Sequence, residues 1–453
     1  MAGRLLDSRL AFLAGAPVAV LVGVAVSLHP FLALAATGVG LLLLLMLVRA
    51  EALLLVLVAA LPWEGLLAYP TETYSAVKIL GILLFAAWIV RALVRAEPLR
   101  VSPALAWAAL LGFAVGLSLL LSPNPADGVF DSLRYALFIV FFFLVLQLTH
   151  DAAHVRRIVR VMVLSSTLAA AWGLYGFVVL GLERAAGPIE DPNDFAYLMV
   201  CVVPLAAYLI SSDRRRRVLW GICFLLLLGA TLATLSRGAL VGLAALAPWA
   251  ILTRRVPIGG VVLGVAALVS IAAVAFAVWA PLLNDRLEQK GNISAKNVTA
   301  RQALWSASIR MAEDRPLTGV GPGRFGIEAP AYVRNNPLVL EHPVVHNSYL
   351  QVMAEIGALG LFDFVAFLVS SWRLLGRSRR RAIAEDDVDG RRLATAMQAS
   401  LIVAIVAGVF LSEQLTTPFW LIGALAAVVG MAPRAAHVAQ PPREPAWRAP
   451  AVA

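Results

Sequence analysis

The chain has 453 residues, of which 61% are hydrophobic and 14% are charged. A soluble protein has about 45–50% apolar residues and must cover its surface with polar groups, so this composition excludes a soluble enzyme, a disordered chain and a disulfide scaffold. The formal net charge is +10, which in so apolar a chain indicates membrane orientation rather than nucleic-acid binding. We predict an all-α polytopic membrane protein.

Continuous apolar runs repeat along the chain and predict transmembrane helices, since the strands of a barrel show only weak alternation. The runs cover residues 10–28, 31–48, 51–68, 77–95, 104–121, 132–149, 157–180, 194–211, 217–235, 238–252, 257–280, 347–372, 394–413 and 416–432. Runs 238–252 and 416–432 are short for a bilayer core that needs about 20 residues per helix. We therefore predict roughly 12, and at most about 14, transmembrane helices.

Arginine marks alternate loops between these runs. Those loops hold Arg49, Arg91, Arg95, Arg100, Arg156, Arg157, Arg160, Arg214 to Arg217, Arg254, Arg255 and Arg373 to Arg392. Because cytoplasmic loops collect basic residues, the pattern places both termini in the cytoplasm. Residues 1–280 are then a transmembrane bundle, 281–345 a large loop on the outer (periplasmic or extracellular) side that contains helices, and 346–432 the C-terminal transmembrane helices. The Pro/Ala/Arg-rich residues 433–453 are predicted to be a disordered cytoplasmic tail.

The large loop is an exception to the charge pattern, because it lies on the outer side and is nevertheless basic. It carries Arg286, Lys290, Lys296, Arg301, Arg310, Arg315, Arg324 and Arg334. Long loops cross the membrane regardless of charge, so these residues alone need no function. The short outer loops avoid basic residues, however, and this contrast favours an anion site in the large loop.

A helix is predicted to begin at Thr299, which forms a capping box with Gln302, and to end before Pro316. Arg301 and Arg310 are nine residues apart and point to opposite sides of that helix. Arg310 has Glu313 and Asp314 at i+3 and i+4 and is predicted to pair with them. Arg301 has no such neighbour, which makes it the better ligand contact of the two.

The glycine-rich residues 319–326 resemble a phosphate loop only superficially, because no strand precedes them, and we interpret them as a tight turn. The loop ends at His346-Asn347-Ser348-Tyr349, which leads without a break into an apolar helix through Glu355, Gly357 and Gly360. His346 therefore lies where a helix meets the outer aqueous face. Its side chain suits general-base catalysis near neutral pH, although an interfacial polar residue is an alternative.

Two further arginines belong to the outer side. Arg237 follows Thr234-Leu235-Ser236 at the outer end of an apolar run, where it either serves a site or extends toward lipid phosphate. Arg184 lies in the outer loop 181–193. At the end of that loop Asn193 or Asp194 is predicted to cap the next helix.

Four segments in this order resemble the O-antigen ligase and polymerase superfamily of bacterial membrane proteins. They are Asn193-Asp194-Phe195-Ala196, Ser236-Arg237-Gly238-Ala239, Pro316-Leu317-Thr318-Gly319-Val320-Gly321, and His346-Asn347-Ser348-Tyr349-Leu350 with Glu355 and Gly357. The last segment is the most specific. The resemblance implies a GT-C-like fold in the bacterial inner membrane, with the active site on the periplasmic side.

The resemblance also implies a function: transfer of O-antigen from undecaprenyl diphosphate to a sugar hydroxyl of lipid A–core, in lipopolysaccharide biosynthesis. His346, Arg237 and Arg301 would be catalytic, and we assign Arg184, Arg310, Asn347 and Tyr349 to binding of the diphosphate or the acceptor. The outer face carries no Asp-x-Asp motif, so no metal and no cofactor are expected. The partners would be the donor, the acceptor and membrane lipid, without nucleic acid.

Three alternatives remain at this point. An O-antigen polymerase and a protein O-oligosaccharyltransferase share the chemistry and differ in the acceptor. A polyprenyl-lipid or solute transporter would have no catalysis. A transporter is expected to place ionisable residues near the middle of the membrane, whereas the candidate residues of this chain gather at one face, which favours an enzyme.

Overall fold

The computed structural model describes residues 50–67, 75–95, 98–255, 299–333 and 343–432, together with parts of 258–273. Within these residues the chain is helical and has no strand. The helices are α1 (residues 50–60), α2 (Ala76–Arg95), α3 (Pro103–Leu121), α4 (Pro125–Leu148), α5 (Ala152–Val178), α6 (Pro192–Ser212), α7 (Arg217–Ala233), α8 (Arg237–Ala244), α9 (Leu246–Thr253), α10 (residues 299–314), α11 (Phe325–Tyr332), α12 (Ser348–Ala384), α13 (Val388–Ala407) and α14 (Thr417–Met431).

Seven of the described helices, α2 to α7 and α12, are long and apolar enough to cross a membrane. The prediction of an all-α polytopic membrane protein is therefore confirmed, while the number of 12 to 14 spans stays a prediction. Runs 10–28 and 31–48, much of run 257–280 and the tail 433–453 lie outside the described residues. The short run 238–252 folds as two helices, α8 and α9, each of eight residues.

The helices begin where the sequence supplies proline and a capping side chain. Ser102 precedes Pro103, and its hydroxyl accepts a hydrogen bond from the amide of Leu105 at 3.0 Å. Asp191 precedes Pro192 and accepts from the amide of Asn193 at 2.5 Å. The prediction that Asn193 or Asp194 caps α6 is therefore wrong, because Pro192 fits the first helical position and moves the cap to the residue before it.

Helices α6 and α14 form the centre of the bundle. Almost every side chain of α6 from Phe195 to Leu209 is buried, and so is every side chain of α14 from Thr417 to Val429. Helix α6 packs against α7, α8 and α13, and α14 packs against α4, α12 and α13. A helix that is apolar on all sides is expected in such a central position. The first turns of α6 and α14 consequently lie together at one end of the bundle.

Helix α12 is broken at Gly357, whose φ of 75° and ψ of −168° are not helical. The prediction of an unbroken helix from Ser348 onward is therefore wrong. At the break, the carbonyls of Ala354 and Glu355 accept hydrogen bonds from the amides of Val320 and Gly321 at 2.9 and 3.0 Å. A break inside a membrane protein is tolerated where other protein groups satisfy the freed backbone.

The segment Pro316–Gly321 supplies those groups, so the structure gives this motif a role as the partner of a broken helix. A Cβ atom on Gly357 would lie 2.3 Å from the carbonyl carbon of Leu317. Only glycine fits there, since both the positive φ and the close backbone contact exclude a side chain. The pairing fixes α10, which ends just before Pro316, against the first half of α12.

Candidate active site

The loop between α13 and α14, residues 408–416, joins the parts of the candidate site. The amide of Ser348 donates to the carbonyls of Gly408 and Leu411 at 2.8 and 2.9 Å. The Ser348 hydroxyl donates to the same Leu411 carbonyl and accepts from the amide of Glu413 at 2.8 Å. These bonds attach the beginning of α12, and with it His346, to the loop.

Arg237 is the first residue of α8 and lies beside the same loop. The preceding turn is tight, since Leu235 has a φ of 55°. A Cβ atom on Gly238 would lie 3.0 Å from side-chain atoms of Phe410 and Leu411, so the backbone of α8 approaches the loop closely. The Arg237 side chain is exposed. The glycine after it therefore sets the distance between this cation and the loop.

Arg301 reaches the loop from α10. Its guanidinium donates to the carbonyl of Phe410 at 3.4 Å. Burial lowers the pKa of Arg301, and the charge of the nearby Arg237 lowers it further. In the part of the chain that the structure describes, no carboxylate forms an ion pair with either guanidinium. Two neighbouring cations without a carboxylate partner suit an anion, and arginines suit phosphate because they donate several hydrogen bonds in fixed directions.

His346 lies between α10 and the first turn of α12. On one side, the indole of Trp305 donates to the carbonyl of Val345 at 3.0 Å. On the other side, Asn347 caps α12 and accepts from the amides of Tyr349 and Leu350, both at 3.0 Å. His346 itself has a φ of 51°, a strained backbone conformation for a residue with a side chain. The residue is thus held in place by its neighbours on both sides.

The pKa of His346 is lowered from 6.5 to about 4. Burial is the main cause, the charge of Arg301 lowers the pKa further, and the carboxylate of Asp191 acts in the opposite direction. The imidazole is therefore neutral at neutral pH, which is the form that accepts a proton. The effect of Asp191 on His346 also indicates that the N-terminus of α6 lies near α10 and α12.

Arg184 connects the loop before α6 to the end of α7. Its Nε donates to the carbonyl of Thr234 at 2.7 Å, and one terminal nitrogen donates to the side chain of Asn193 at 2.8 Å. Burial lowers the pKa of Arg184, and the nearby Asp191 raises it. These contacts hold the two loops together. A role in substrate binding, which the sequence predicts, stays a prediction.

Three other predicted site residues have protein partners. Asn347 is the cap of α12, and the hydroxyl of Tyr349 donates to the carbonyl of Ile405 at 2.9 Å. Arg310 donates to the carbonyl of Tyr332 at 2.6 Å, and no ion pair with Glu313 or Asp314 is present among the described residues. The predicted pairing of Arg310 is wrong, because α11 folds back and supplies a better-placed acceptor. Substrate contacts of Asn347, Tyr349 and Arg310 stay predictions.

The glycine-rich residues form a turn, as predicted, with positive φ at Gly319, Gly321 and Gly323. The turn leads into the short helix α11, which the sequence did not indicate. At the beginning of α11 the buried carboxyl group of Glu355 lies 3.4 Å from the amide of Phe325. An acidic group already occupies this helix end, so the turn has the wrong charge for phosphate.

Sequence reasoning missed Glu413. This side chain is fully buried in the loop 408–416 and lies against Asp194 in the first turn of α6. Burial raises the pKa of Glu413 well above its usual value, and the neighbouring Asp194 raises it further. A single acidic residue at the end of an apolar run is the signal that identifies it, because such a residue is costly and needs a partner.

These observations define a class of protein: an all-helical membrane protein with an arginine pair and a neutral histidine at one end of its bundle. Residues 221–365 match the family model described as O-Antigen ligase, and this stretch contains Arg237, Arg301 and His346. The chain therefore contains a domain of the O-antigen ligase superfamily. The resemblance is confirmed, and three of its four segments lie inside the matched residues, whereas the segment at 193–196 lies outside them. No curated protein matches the chain.

Proposed function

We propose that the protein is an O-antigen ligase that transfers a glycan from undecaprenyl diphosphate to a sugar hydroxyl of lipid A–core. One observation carries this proposal: Arg237 and Arg301 lie together without a carboxylate partner among the described residues, beside a neutral His346. A cation pair suits the diphosphate, and a neutral histidine suits the hydroxyl. The family match over residues 221–365 supports ligase or polymerase chemistry.

In the proposed reaction a ring nitrogen of His346 accepts the proton of the acceptor hydroxyl. The acceptor oxygen forms a bond to the anomeric carbon of the donor sugar. At the same time the bond from that carbon to the diphosphate oxygen breaks, and its electron pair stays on the diphosphate. Arg237 and Arg301 donate hydrogen bonds to the developing negative charge, and such preorganised donors are often the largest catalytic contribution. A single displacement inverts the anomeric centre, and the scheme needs no metal ion or cofactor.

Donor binding strengthens the base in this scheme. A histidine with a pKa of about 4 is neutral at neutral pH but accepts a proton weakly. The positive charge of Arg301 contributes to that low pKa. A diphosphate bound to the arginines offsets their charge and raises the pKa of His346. The base therefore reaches its full strength only when the leaving group is in place.

The proposed reaction takes place at the periplasmic face of the inner membrane. To test this orientation, we would place cysteine at Leu317, which is 62% exposed and belongs to the segment that pairs with the break in α12. The matched control is cysteine at Arg215, between α6 and α7 at the opposite end. The native Cys201 and Cys223 are both buried, so they contribute little background labelling. In intact spheroplasts a membrane-impermeant thiol reagent should label position 317 only, and labelling of position 215 alone would reverse the orientation.

The activity test uses purified protein, undecaprenyl diphosphate-linked O-antigen and lipid A–core. Native protein should form the ligated product, and His346→Ala should lower the rate by about 10²- to 10⁴-fold, as is usual for loss of a general base. A melting curve of the variant checks its folding. Near-native turnover of folded His346→Ala would reduce this residue to a structural role.

Gel analysis of lipopolysaccharide after gene deletion separates the rival functions. Loss of all long-chain bands, with lipid-linked O-antigen accumulating, indicates a ligase. Bands with a single repeat indicate a polymerase, and unchanged lipopolysaccharide with loss of protein glycans indicates a protein O-oligosaccharyltransferase. A transporter would show no product with purified components in detergent.

A further inference from the structure

A cavity of about 500 Å³ opens beside the arginine–histidine site. Its walls come from α1, α2, α4 and α6 and from the residues that lead into α14. Arg237, Arg301 and His346 are not among its lining residues. Ligand pockets in proteins usually have about 300–1,000 Å³, so the cavity is large enough for two sugar rings. The proposed catalytic scheme leaves it without an occupant.

The charged side chains at this cavity are mostly acidic. They are Glu64, Glu190, Asp191 and Asp194 against Lys78 and Arg134. Both basic groups already contact carboxylates, since Lys78 lies 3.6 Å from Glu64 and Arg134 lies 3.0 Å from Asp131. A phosphate or diphosphate would therefore meet repulsion there. Ionised carboxylates accept hydrogen bonds and donate none, so they favour a ligand with several hydroxyl groups.

The remaining walls of the cavity are mainly apolar and suit the C–H face of a sugar ring. Phe130, Phe138 and Phe141 of α4 line the cavity, as does Leu198 of α6. A pyranose ring carries hydroxyls at its edge and C–H groups on its faces. A cavity with carboxylates at one side and aromatic side chains at another therefore matches an uncharged sugar better than it matches either a lipid chain alone or an anion.

The cavity and the proposed site share neighbouring residues. Asp191 lines the cavity, and its carboxylate is near enough to His346 to act on the imidazole. Asp194 lines it as well and contacts the buried Glu413 of the loop 408–416, to which Arg301 donates. A sugar held in the cavity by Asp191 and Asp194 would thus contact the two residues that connect the cavity with the candidate site.

We propose that this cavity is the acceptor subsite, in which the carboxylates of Asp191 and Asp194 bind hydroxyls of an uncharged sugar and direct one hydroxyl toward His346. The inference rests on the proposed glycosyl transfer and adds a division of the site: the diphosphate binds at the arginines and the acceptor sugar binds in the acidic cavity. Asp194 is the better test residue, because Asp191 also caps α6 and acts on His346.

The first experiment measures KM for both substrates with Asp194→Asn. Loss of a hydrogen bond to a charged group typically lowers affinity by about 10- to 100-fold, so KM for the acceptor should rise by that factor while KM for the donor is unchanged. The control is Glu183→Gln, which removes an exposed carboxylate in the loop before α6 that does not line the cavity. An unchanged acceptor KM, or a rise in donor KM alone, would overturn the assignment.

A second variant fills the cavity instead of changing its charge. Gly81 of α2 lines the cavity, and a Cβ atom built on it meets no other atom within 4 Å. Gly81→Phe should therefore fold and raise the acceptor KM. Gly116 of α3 also has open space around its Cβ position but does not line the cavity, so Gly116→Phe is the matched control. Equal effects of the two substitutions would contradict the inference.

Direct binding separates this inference from the proposed reaction. The probe is the core oligosaccharide of lipopolysaccharide, released from lipid A and dephosphorylated, with saturation-transfer NMR on the full chain in detergent. Binding should be lost in Asp194→Asn and Gly81→Phe, and the phosphorylated oligosaccharide should bind more weakly. If binding follows this pattern but native protein forms no product, the proposed reaction is wrong and the proposed sugar site is supported. If product forms but no variant alters binding or acceptor KM, the proposed sugar site is wrong and the proposed reaction is supported.

Discussion

Arg324 and the two arginines of the candidate site, Arg237 and Arg301, have opposite electrostatic surroundings. Arg324 is almost fully buried, and its guanidinium contacts the carboxylates of Asp127 and Glu328 and the carbonyl of Asn124. Arg237 and Arg301 lie near each other, and within the described residues neither has a carboxylate partner. Removing one partner of a buried ion pair destabilises a fold, whereas removing one of two adjacent like charges relieves repulsion. The comparison favours a structural role for Arg324 and supports the proposed anion binding by Arg237 and Arg301.

The largest expected effect on stability concerns Arg324. Arg324→Met removes the cation and leaves Asp127 and Glu328 facing each other without compensation. Breaking a fully buried ion pair by removing one partner costs about 3–5 kcal/mol. Asp127 and Glu328 are 32% and 26% exposed, so the cost should lie below that range and the melting temperature in detergent should still fall. Turnover of the protein that remains folded should change little at low temperature. A variant with native melting temperature and no turnover would move Arg324 into the active site.

The arginine pair should behave in the opposite way. Arg237→Ala or Arg301→Ala should lower turnover by about 10²- to 10³-fold, the usual cost of removing one donor from a charged transition state. The melting temperature should stay the same or rise, because each substitution relieves repulsion between like charges.

Lysine at the same positions tests whether the site needs the planar shape of the guanidinium group or only its charge. Lysine keeps the charge but lacks the planar group that binds two oxygens at once. If Arg237→Lys retains full activity, the site needs only positive potential, and bidentate contact with the leaving diphosphate is wrong.

Sequence reasoning could identify the helix of Arg301 but not the difference between the arginines. The capping pattern at Thr299 and the proline at position 316 predict a helix that agrees with residues 299–314, because both signals are local. The partner of Arg324, Asp127, lies 197 residues away along the chain, and no local pattern indicates it. The wrong prediction for Arg310 has the same cause. Its neighbours Glu313 and Asp314 suggested an ion pair, but its acceptor is the carbonyl of Tyr332, which is 22 residues away along the chain.

The pH dependence of the reaction should separate the charges that act on His346. With a pKa of about 4, the basic form is present above that pH and is lost as the pH falls through it. The profile of kcat/KM for the free enzyme should therefore be flat near neutrality and fall only in acid. Arg301→Gln removes a charge that lowers the pKa, so its acid limb should move to higher pH.

Asp191→Asn should move the acid limb to lower pH, because Asp191 raises the pKa of His346 and asparagine still caps a helix. Each profile is normalised to its own plateau, so a loss of activity at all pH values does not obscure the shift. Shifts in the same direction for both variants would mean that neither charge acts on the histidine.

The smallest effect is expected at Arg310, which is the matched control for Arg301 because both lie on α10. Arg310 is exposed and donates to the carbonyl of Tyr332, and exposed polar contacts of this kind contribute less than about 1 kcal/mol. Arg310→Ala also tests the assignment of Arg310 to substrate binding: a purely structural role, which the contact with Tyr332 favours, predicts a slightly lower melting temperature with kcat and both KM values unchanged. Arg301→Ala, nine positions earlier on the same helix, should do the reverse. If Arg310→Ala abolishes turnover while Arg301→Ala spares it, the anion lies on the other side of α10 and the comparison between paired and unpaired arginines does not locate the site.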